Sequence, residues 1–454
     1  MHVVLWETRR VDVKPPQGPR SAPLTQSLAD RLAHFLAGRC RPPAPLLLAR
    51  LAAVFKTLGH TVQHAVDRFP RRAELVVLAP TLADLGSQRG AAGRFLDRKN
   101  PARIIAVGPL ATAAPELLQD LGVTVVDGES EQLLWKLDAV LDQPGAIVRL
   151  GMVDDLDSLP LPEWAPFSPW LFRSSREFWQ FPTARIEASR ASPGLDAGAW
   201  TLPGGLRYRS AESVVAEIRE GIGRWGFYSF IFCDPQFGRN RSQVFQLTEQ
   251  IGRTSQSIQF SIRSRADLLR PEMIRVLGRV GLSCVTLQID FPGHSDPGDE
   301  SIGENQAVVA SCRRLGIRTI ADFRITPTER ASEAAGWVWD AARQINATFA
   351  EFHVGLPPAD ERGACLPFGP IAVTASDAFL DCLQRHRRLY YARRAYWQEN
   401  LRLLLPALGR LESLRGRSTT AAGDASHTGP PPPLARRKQL ARQPFDDNRH
   451  RRSA

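Results

Sequence analysis

The 454 residues, 43% hydrophobic and 23% charged, are enough for two or three domains with cores of ordinary composition. No apolar run approaches the roughly 18 residues that a spanning helix needs, and Glu7, Arg9 and Arg10 follow the first apolar stretch, the reverse of a secretory signal, so a cytoplasmic protein without a membrane span is expected. The net charge of +11 sits mostly in a tail, with nine Lys or Arg against three Asp from Arg415 to Ala454, so the folded body is not expected to bind nucleic acid.

From residue 1 to about 150, short apolar runs alternate with helical spacing. Leu75–Ala79, Arg103–Val107 and Val123–Val126 read as buried parallel strands, each closed by turn residues: Pro80, Gly108-Pro109 and Asp127-Gly128. Leu46–Leu58 and Ala114–Leu121 carry helix-like spacing. This rhythm predicts a doubly wound α/β sheet. Residues 151–183 are acidic and proline-punctuated, from Asp154 to Trp164, and read as a linker crossing a surface.

From 184 to 365 the alternation resumes. Strands are expected at Ala184–Ala188, Ser229–Cys233, Ser257–Ile262, Cys284–Ile289, Arg318–Phe323 and Phe349–Val354. Between them, Glu212–Gly223 places Val215, Ile218 and Ile222 on one helical face, and Pro271 opens a helix that Gly281 stops. Six strands separated by helices predict a parallel sheet curved toward a partial barrel, with functional loops at the carboxyl ends of its strands. Residues 366–414 read as a C-terminal helical segment rich in Arg, Leu, Tyr and Trp. Residues 415–454, with Gly429 and Pro430–Pro433, are too poor in apolar residues to fold and are expected to be a disordered basic tail.

The six cysteines, at 40, 233, 284, 312, 365 and 382, form no CxxC or CxxxC pair. Local spacing therefore supplies no zinc or iron–sulfur site. The absence of a GxGxxG or P-loop after the early strands disfavours a nucleotide- or sugar-nucleotide-binding transferase.

Between residues 40 and 400 the order of landmarks resembles the cobalamin-binding branch of the radical S-adenosylmethionine (SAM) superfamily. Pro42–Leu46 running to His60 is similar to that family's opening helix. Val107–Glu116, reading VGPLATAAPE, is similar to its GGPHAT-x-x-PE loop, and Val126–Glu131 to its V-x-GEGE loop. Leu159–Trp164, Gly205–Ser210 and Phe230–Asp234 follow in the family's order. The resemblance implies a Rossmann-like cobalamin-binding domain, a radical-SAM-like partial (β/α)6 barrel and a C-terminal helical segment. It also implies cobalamin contact at Gly108, Thr112, Gly128 and Glu129, where ordinary strand-to-helix turns are the alternative that residue type alone suggests. Leu110 stands where the family loop usually has histidine and no DxHxxG motif is present, so cobalt would have no protein imidazole.

The largest departure lies at the first barrel strand. After Ser189-Arg190 the family has CxxxCxxC; here Ser192, Asp196 and Ala199 occupy those three positions. Hydroxyl and carboxylate oxygens suit an iron–sulfur cluster poorly and alanine offers no ligand, so neither the 4Fe–4S cluster nor radical cleavage of SAM is expected. The resemblance still implies nucleoside contacts at Asp234, Arg265 and Asp290, where helix capping or surface ion pairing is an equal alternative. The implied setting is a natural-product or lipid biosynthetic pathway acting on a small-molecule or carrier-bound substrate. The chain would be a cobalamin/SAM-dependent methyltransferase working without the usual cluster, or a non-catalytic partner or scaffold for an intact radical SAM enzyme.

Overall fold

The computed structural model describes residues 1–7, 45–68, 70, 72–80, 85–119 apart from 98–101, 121–172, 182–190, 206–234, 236–254, 257–291, 298–325, 331–354, 382, 385–386, 389–391 and 393–415. It separates into two compact units, Met1–Pro406 and Ala407–Ala454. In the second, the described residues run only to Arg415 and are helical.

The first unit begins with β1 (His2–Glu7), α1 (Leu46–Thr57), β2 (Thr61–Val66), β3 (Leu75–Leu78), α2 (Leu85–Asp97), β4 (Arg103–Ala106), α3 (Pro109–Ala113), α4 (Glu116–Gln119), β5 (Thr124–Gly128), α5 (Leu133–Leu141) and β6 (Ile147–Gly151). All six strands run parallel in the order β2-β1-β3-β4-β5-β6. The chain reverses its progress across the sheet between β1 and β3. This reversal makes the sheet doubly wound and opens a crevice at the carboxyl ends of the strands. Leu75–Leu78 is buried throughout because helices cover both faces.

The expected linker is packed rather than merely crossing a surface. Glu163 N–H donates to Ala49 O at 3.0 Å, and Glu163 also bonds Lys56. Trp164 stands edge-on to Phe172 and Phe227, with ring centroids 5.6 and 6.0 Å away. One hydrophobic core consequently runs from Leu5 and Phe55 through Trp164 and Phe172 to Phe230 and Phe260. Aromatic residues among prolines and acids show no sequence period, so this packing was not legible in the pattern.

The second sheet comprises β7 (Thr183–Ile186) and, after the antiparallel ribbon of β8 (Ser189–Arg190) and β9 (Arg207–Tyr208), α6 (Ala211–Trp225), β10 (Ser229–Phe232), α7 (Arg241–Gly252), β11 (Gln259–Ser264), α8 (Pro271–Arg279), β12 (Leu282–Phe291), α9 (Gly298–Arg314), β13 (Arg318–Ile325), α10 (Ala331–Ile345) and β14 (Phe349–Val354). Its order is β14-β13-β12-β11-β10-β7, again all parallel, the partial (β/α)6 barrel expected from sequence. Ser210 caps α6, accepting from Ser213 N, and Gly226 closes it in the left-handed region. Pro271 stands in the first turn of α8. Past β14, Tyr390 and Tyr396 donate to Ala347 O and Thr348 O, fastening the first turn of α11 (Arg394–Arg415) and the residues before it to the chain entering this edge strand. Among the described residues no helix is long and apolar enough to cross a membrane.

Candidate functional site

The carboxyl edge of the first sheet brings Gly108, Thr112, Gly128 and Glu129 together. Gly108 follows β4 with φ +94°, and a Cβ there would lie 2.9 Å from Leu47 Cδ2. One turn into α3, Thr112 Oγ1 accepts the Gly128 N–H at 3.0 Å. The same hydroxyl lies 3.0 Å from Gly128 O and 3.3 Å from Gly108 O, either of which can take its proton. Gly128 has φ +126°, and a Cβ would fall 2.5 Å from Gly151 O. Gly128 is thus required by the close approach of the Gly151 backbone and Gly108 by its positive φ, and Thr112 clips the β4 and β5 loops together.

Glu129 is buried and accepts from Val153 N–H at 2.7 Å and from Arg207 Nη2 at 2.6 Å; Arg190 Nη1 lies 3.4 Å away. Burial alone would raise its carboxyl pKa. The Arg207 hydrogen bond, the Arg190 charge and the Val153 N–H outweigh it and hold the group below its ordinary value. Arg190, on β8, also reaches Glu131 at 2.8 Å and Glu187 at 2.6 Å. Arg50 of α1 stands 3.0 Å from Glu187. Glu187 is drawn down to about 2: burial opposes ionisation, but the charges of Arg190 and Arg50 overcome it. This seam joins the carboxyl end of β5 to that of β7. Sequence reasoning singled out only Glu129 from it. In the sequence Arg190 only marks the frame before the cysteine positions, and Arg50, Glu187 and Arg207 become functional candidates only through the fold.

At the second sheet, Asp234 follows β10 and is 1% exposed. It accepts from Ala188 N–H at 3.1 Å and from Ser189 Oγ at 2.5 Å, pinning the segment after β7. Burial pushes its carboxyl up to about 6 despite the Ser189 and Ala188 hydrogen bonds. Arg265 follows β11, is partly exposed and pairs with Asp267 at 3.0 Å. Asp290 is exposed near the end of β12, in register with Arg324 of β13. The three lie at or beyond the carboxyl ends of neighbouring strands, as a ligand mouth requires; they do not join the seam.

Ser192, Asp196 and Ala199 lie outside the described residues. Of the described cysteines, exposed Cys233 follows β10, whereas Cys284 is buried near the start of β12. Cys312 is buried in α9, and Cys382 lies in the C-terminal segment. Among the described residues no group of three His, Cys, Asp or Glu is arranged to hold a metal.

A doubly wound sheet followed by a partial barrel defines a class of fold whose solved representatives include cobalamin-dependent radical SAM enzymes. The radical SAM methyltransferase TsrM from Kitasatospora setae, solved with cobalamin and a 4Fe–4S cluster bound, matches with a TM-score of 0.54 at 16% identity over 78% of this chain and 75% of that one. The cobalamin-dependent SAM radical enzyme OxsB, solved with aqua-cobalamin and SAM bound, matches with a TM-score of 0.54 at 11% identity over 86% of this chain. That match spans 56% of OxsB, little more than half its length. At such identities the likeness is one of fold. No family model matches the sequence, and no curated protein matches it.

Proposed function

We propose that the chain is a divergent cobalamin-binding protein of the radical SAM superfamily, serving a natural-product or lipid biosynthetic pathway without the usual 4Fe–4S cluster. The observation that carries this reading is the succession of two parallel six-stranded sheets joined at their carboxyl edges, a fold shared with neighbours solved with cobalamin.

The cluster does not fit the donors present. Ser192, Asp196 and Ala199 replace the thiolates, and Cys233 and Cys284 stand near opposite ends of their strands. Cobalamin fits better. The tight turns at Gly108 and Gly128 shape the carboxyl edge of the first sheet, the edge at which a doubly wound sheet receives a ligand. Thr112 and Glu129 already serve the chain's own backbone and arginines, so their part is to hold that edge in shape. Cobalamin, when bound, supplies a carrier for a methyl group. SAM would be met by Asp234, Arg265 and Asp290 at the second sheet's mouth. A methyltransferase working without the cluster is the second reading, in which the TsrM likeness supports methyl transfer but not the loss of the cluster, since TsrM holds one; a scaffold for an intact relative is the other.

The test is anaerobic purification with iron, sulfide and hydroxocobalamin, followed by absorption spectra and metal analysis. Bound corrinoid without iron is expected. About four irons per chain with SAM cleavage would overturn the cluster-less reading, and retention of neither corrinoid nor iron would overturn the cobalamin assignment and favour the scaffold reading.

A further inference from the structure

We propose that the concave face of the second sheet binds an anionic small molecule, its carboxylate or phosphate group seated on Arg185, Ser261 and Arg263. The two faces of this sheet are chemically opposite. A Cβ on Gly221 of α6 would lie 3.1 Å from Phe230 Cε1, which marks the helix-covered face. Ala184 and Phe260 share that face in register with Phe230. The next residue of each strand turns to the other side: Arg185, Ile231 and Ser261 form one row there, and Arg263 follows two residues along β11.

Two of these groups are poised for a ligand. Ser261 is 1% exposed, and its Oγ has no hydrogen-bond partner among the described residues. Arg185 Nε, on the same row, is likewise buried without a hydrogen-bond acceptor among them. A guanidinium N–H can only donate and a hydroxyl can donate, so the chemistry that satisfies both is an acceptor, preferably charged. Buried polar atoms rarely remain unpaired in working proteins.

Arg263 strengthens the assignment. Its side chain is 40% exposed and its guanidinium 3.5 Å from Asp322, which stands at the same distance from Arg324. With its side chain partly in solvent and the Asp322 contact at 3.5 Å, Arg263 can turn N–H groups toward an incoming anion. The inference deepens the proposed function and rests on that reading only in calling the anion part of a substrate. Corrinoid and anion binding give separate signals, and either can fail alone.

Full-length chain is titrated calorimetrically in about 150 mM chloride, which screens the basic tail, with inorganic phosphate and, separately, succinate. One of the two is expected to bind saturably at one site per chain, and whichever binds assigns the class. Arg263→Gln should raise Kd at least about tenfold, and Ser261→Ala about threefold or more, as expected for charge-assisted hydrogen bonds. Both variants should melt as the native chain does. A chain with Arg436, Arg437 and Lys438 changed to Gln should bind as before. Absence of saturable binding of either anion, or binding unchanged by Arg263→Gln, overturns the proposal; so does binding lost with the tail charges.

Discussion

Two charged regions of this molecule follow opposite designs. At the seam, Arg190 faces Glu129, Glu131 and Glu187, and Arg207 lies against Glu129, with the closest contact of each pair between 2.6 and 3.4 Å. On the concave face, Arg263 and Arg324 share Asp322 at 3.5 Å, and Ser261 Oγ and Arg185 Nε lack hydrogen-bond partners among the described residues. Charges closed on one another in a dry site fix segments in place, because removing one strands the others. Polar atoms left without partners remain available for recognition. The difference assigns mechanical work to the seam and ligand contact to the concave face.

The strongest way to break the comparison is Arg190→Ala. Three buried or nearly buried carboxylates would lose their common cation, at a cost of about 3–5 kcal/mol. Chemical denaturation should show a lower midpoint, with loosened packing between the sheets visible as new protease cuts near Glu187. A loss below about 1 kcal/mol would mean that the seam does not fasten the sheets.

Acid gives a second, slightly smaller test. Glu187 is drawn from 4.5 in the unfolded chain to about 2, so its stabilisation is complete above pH 4.5 and is lost as pH falls toward 2. On the order of 3 kcal/mol should disappear across that window, and Glu187→Gln should flatten the loss. Asp234 carries the opposite sign. Its folded value of about 6 lies above 3.8, so the folded state holds its proton more tightly and stability falls as pH rises from about 4 to 6. Stability of Asp234→Asn relative to the native chain should therefore climb through that interval. Parallel profiles for the two variants would refute these assignments.

Gly128→Ala comes next. The added methyl group would meet Gly151 O at 2.5 Å on a backbone at φ +126°, and strain of about 1–3 kcal/mol is expected. Because the clash lies between β5 and β6, the variant should lower the melting temperature and leave seam titration intact. If corrinoid binding fell while stability did not, Gly128 would be a cofactor contact and not simply a turn.

Much of the architecture was legible because periodicity carries it. Leu75–Leu78 announces a buried strand and Phe349–Val354 a further strand, and Pro271 and Gly281 bracket a helix. Less visible were β1, β2 and β6. Thr61–Val66 alternates exposure at a sheet edge and looks polar, while Ile147–Gly151 places Arg149 in mid-strand. At the site, glycines and acids at strand ends were legible as a class, but their partners were not. Glu129 finds Arg207 78 residues away, and nothing local encodes such a pairing. The alternation in β11 that sets Ser261 and Arg263 opposite Phe260 and Ile262 was present in the sequence, yet only the register with β7 and β10 gives it meaning.

The smallest expected effect sharpens the comparison most. Arg263 lies on the concave face, 40% exposed and loosely paired, so Arg263→Gln should change folding stability by less than about 1 kcal/mol. The same loss of one positive charge at Arg190 should cost several times more. Denaturation curves for the two variants, measured side by side at neutral pH, therefore compare one kind of residue in two settings. If Arg263→Gln were as damaging as Arg190→Ala, the concave face would be a second structural lock and its charges would have no freedom to meet a ligand. If it is nearly silent in folding yet weakens anion binding, stability and recognition are carried by different arginines of the same compact unit.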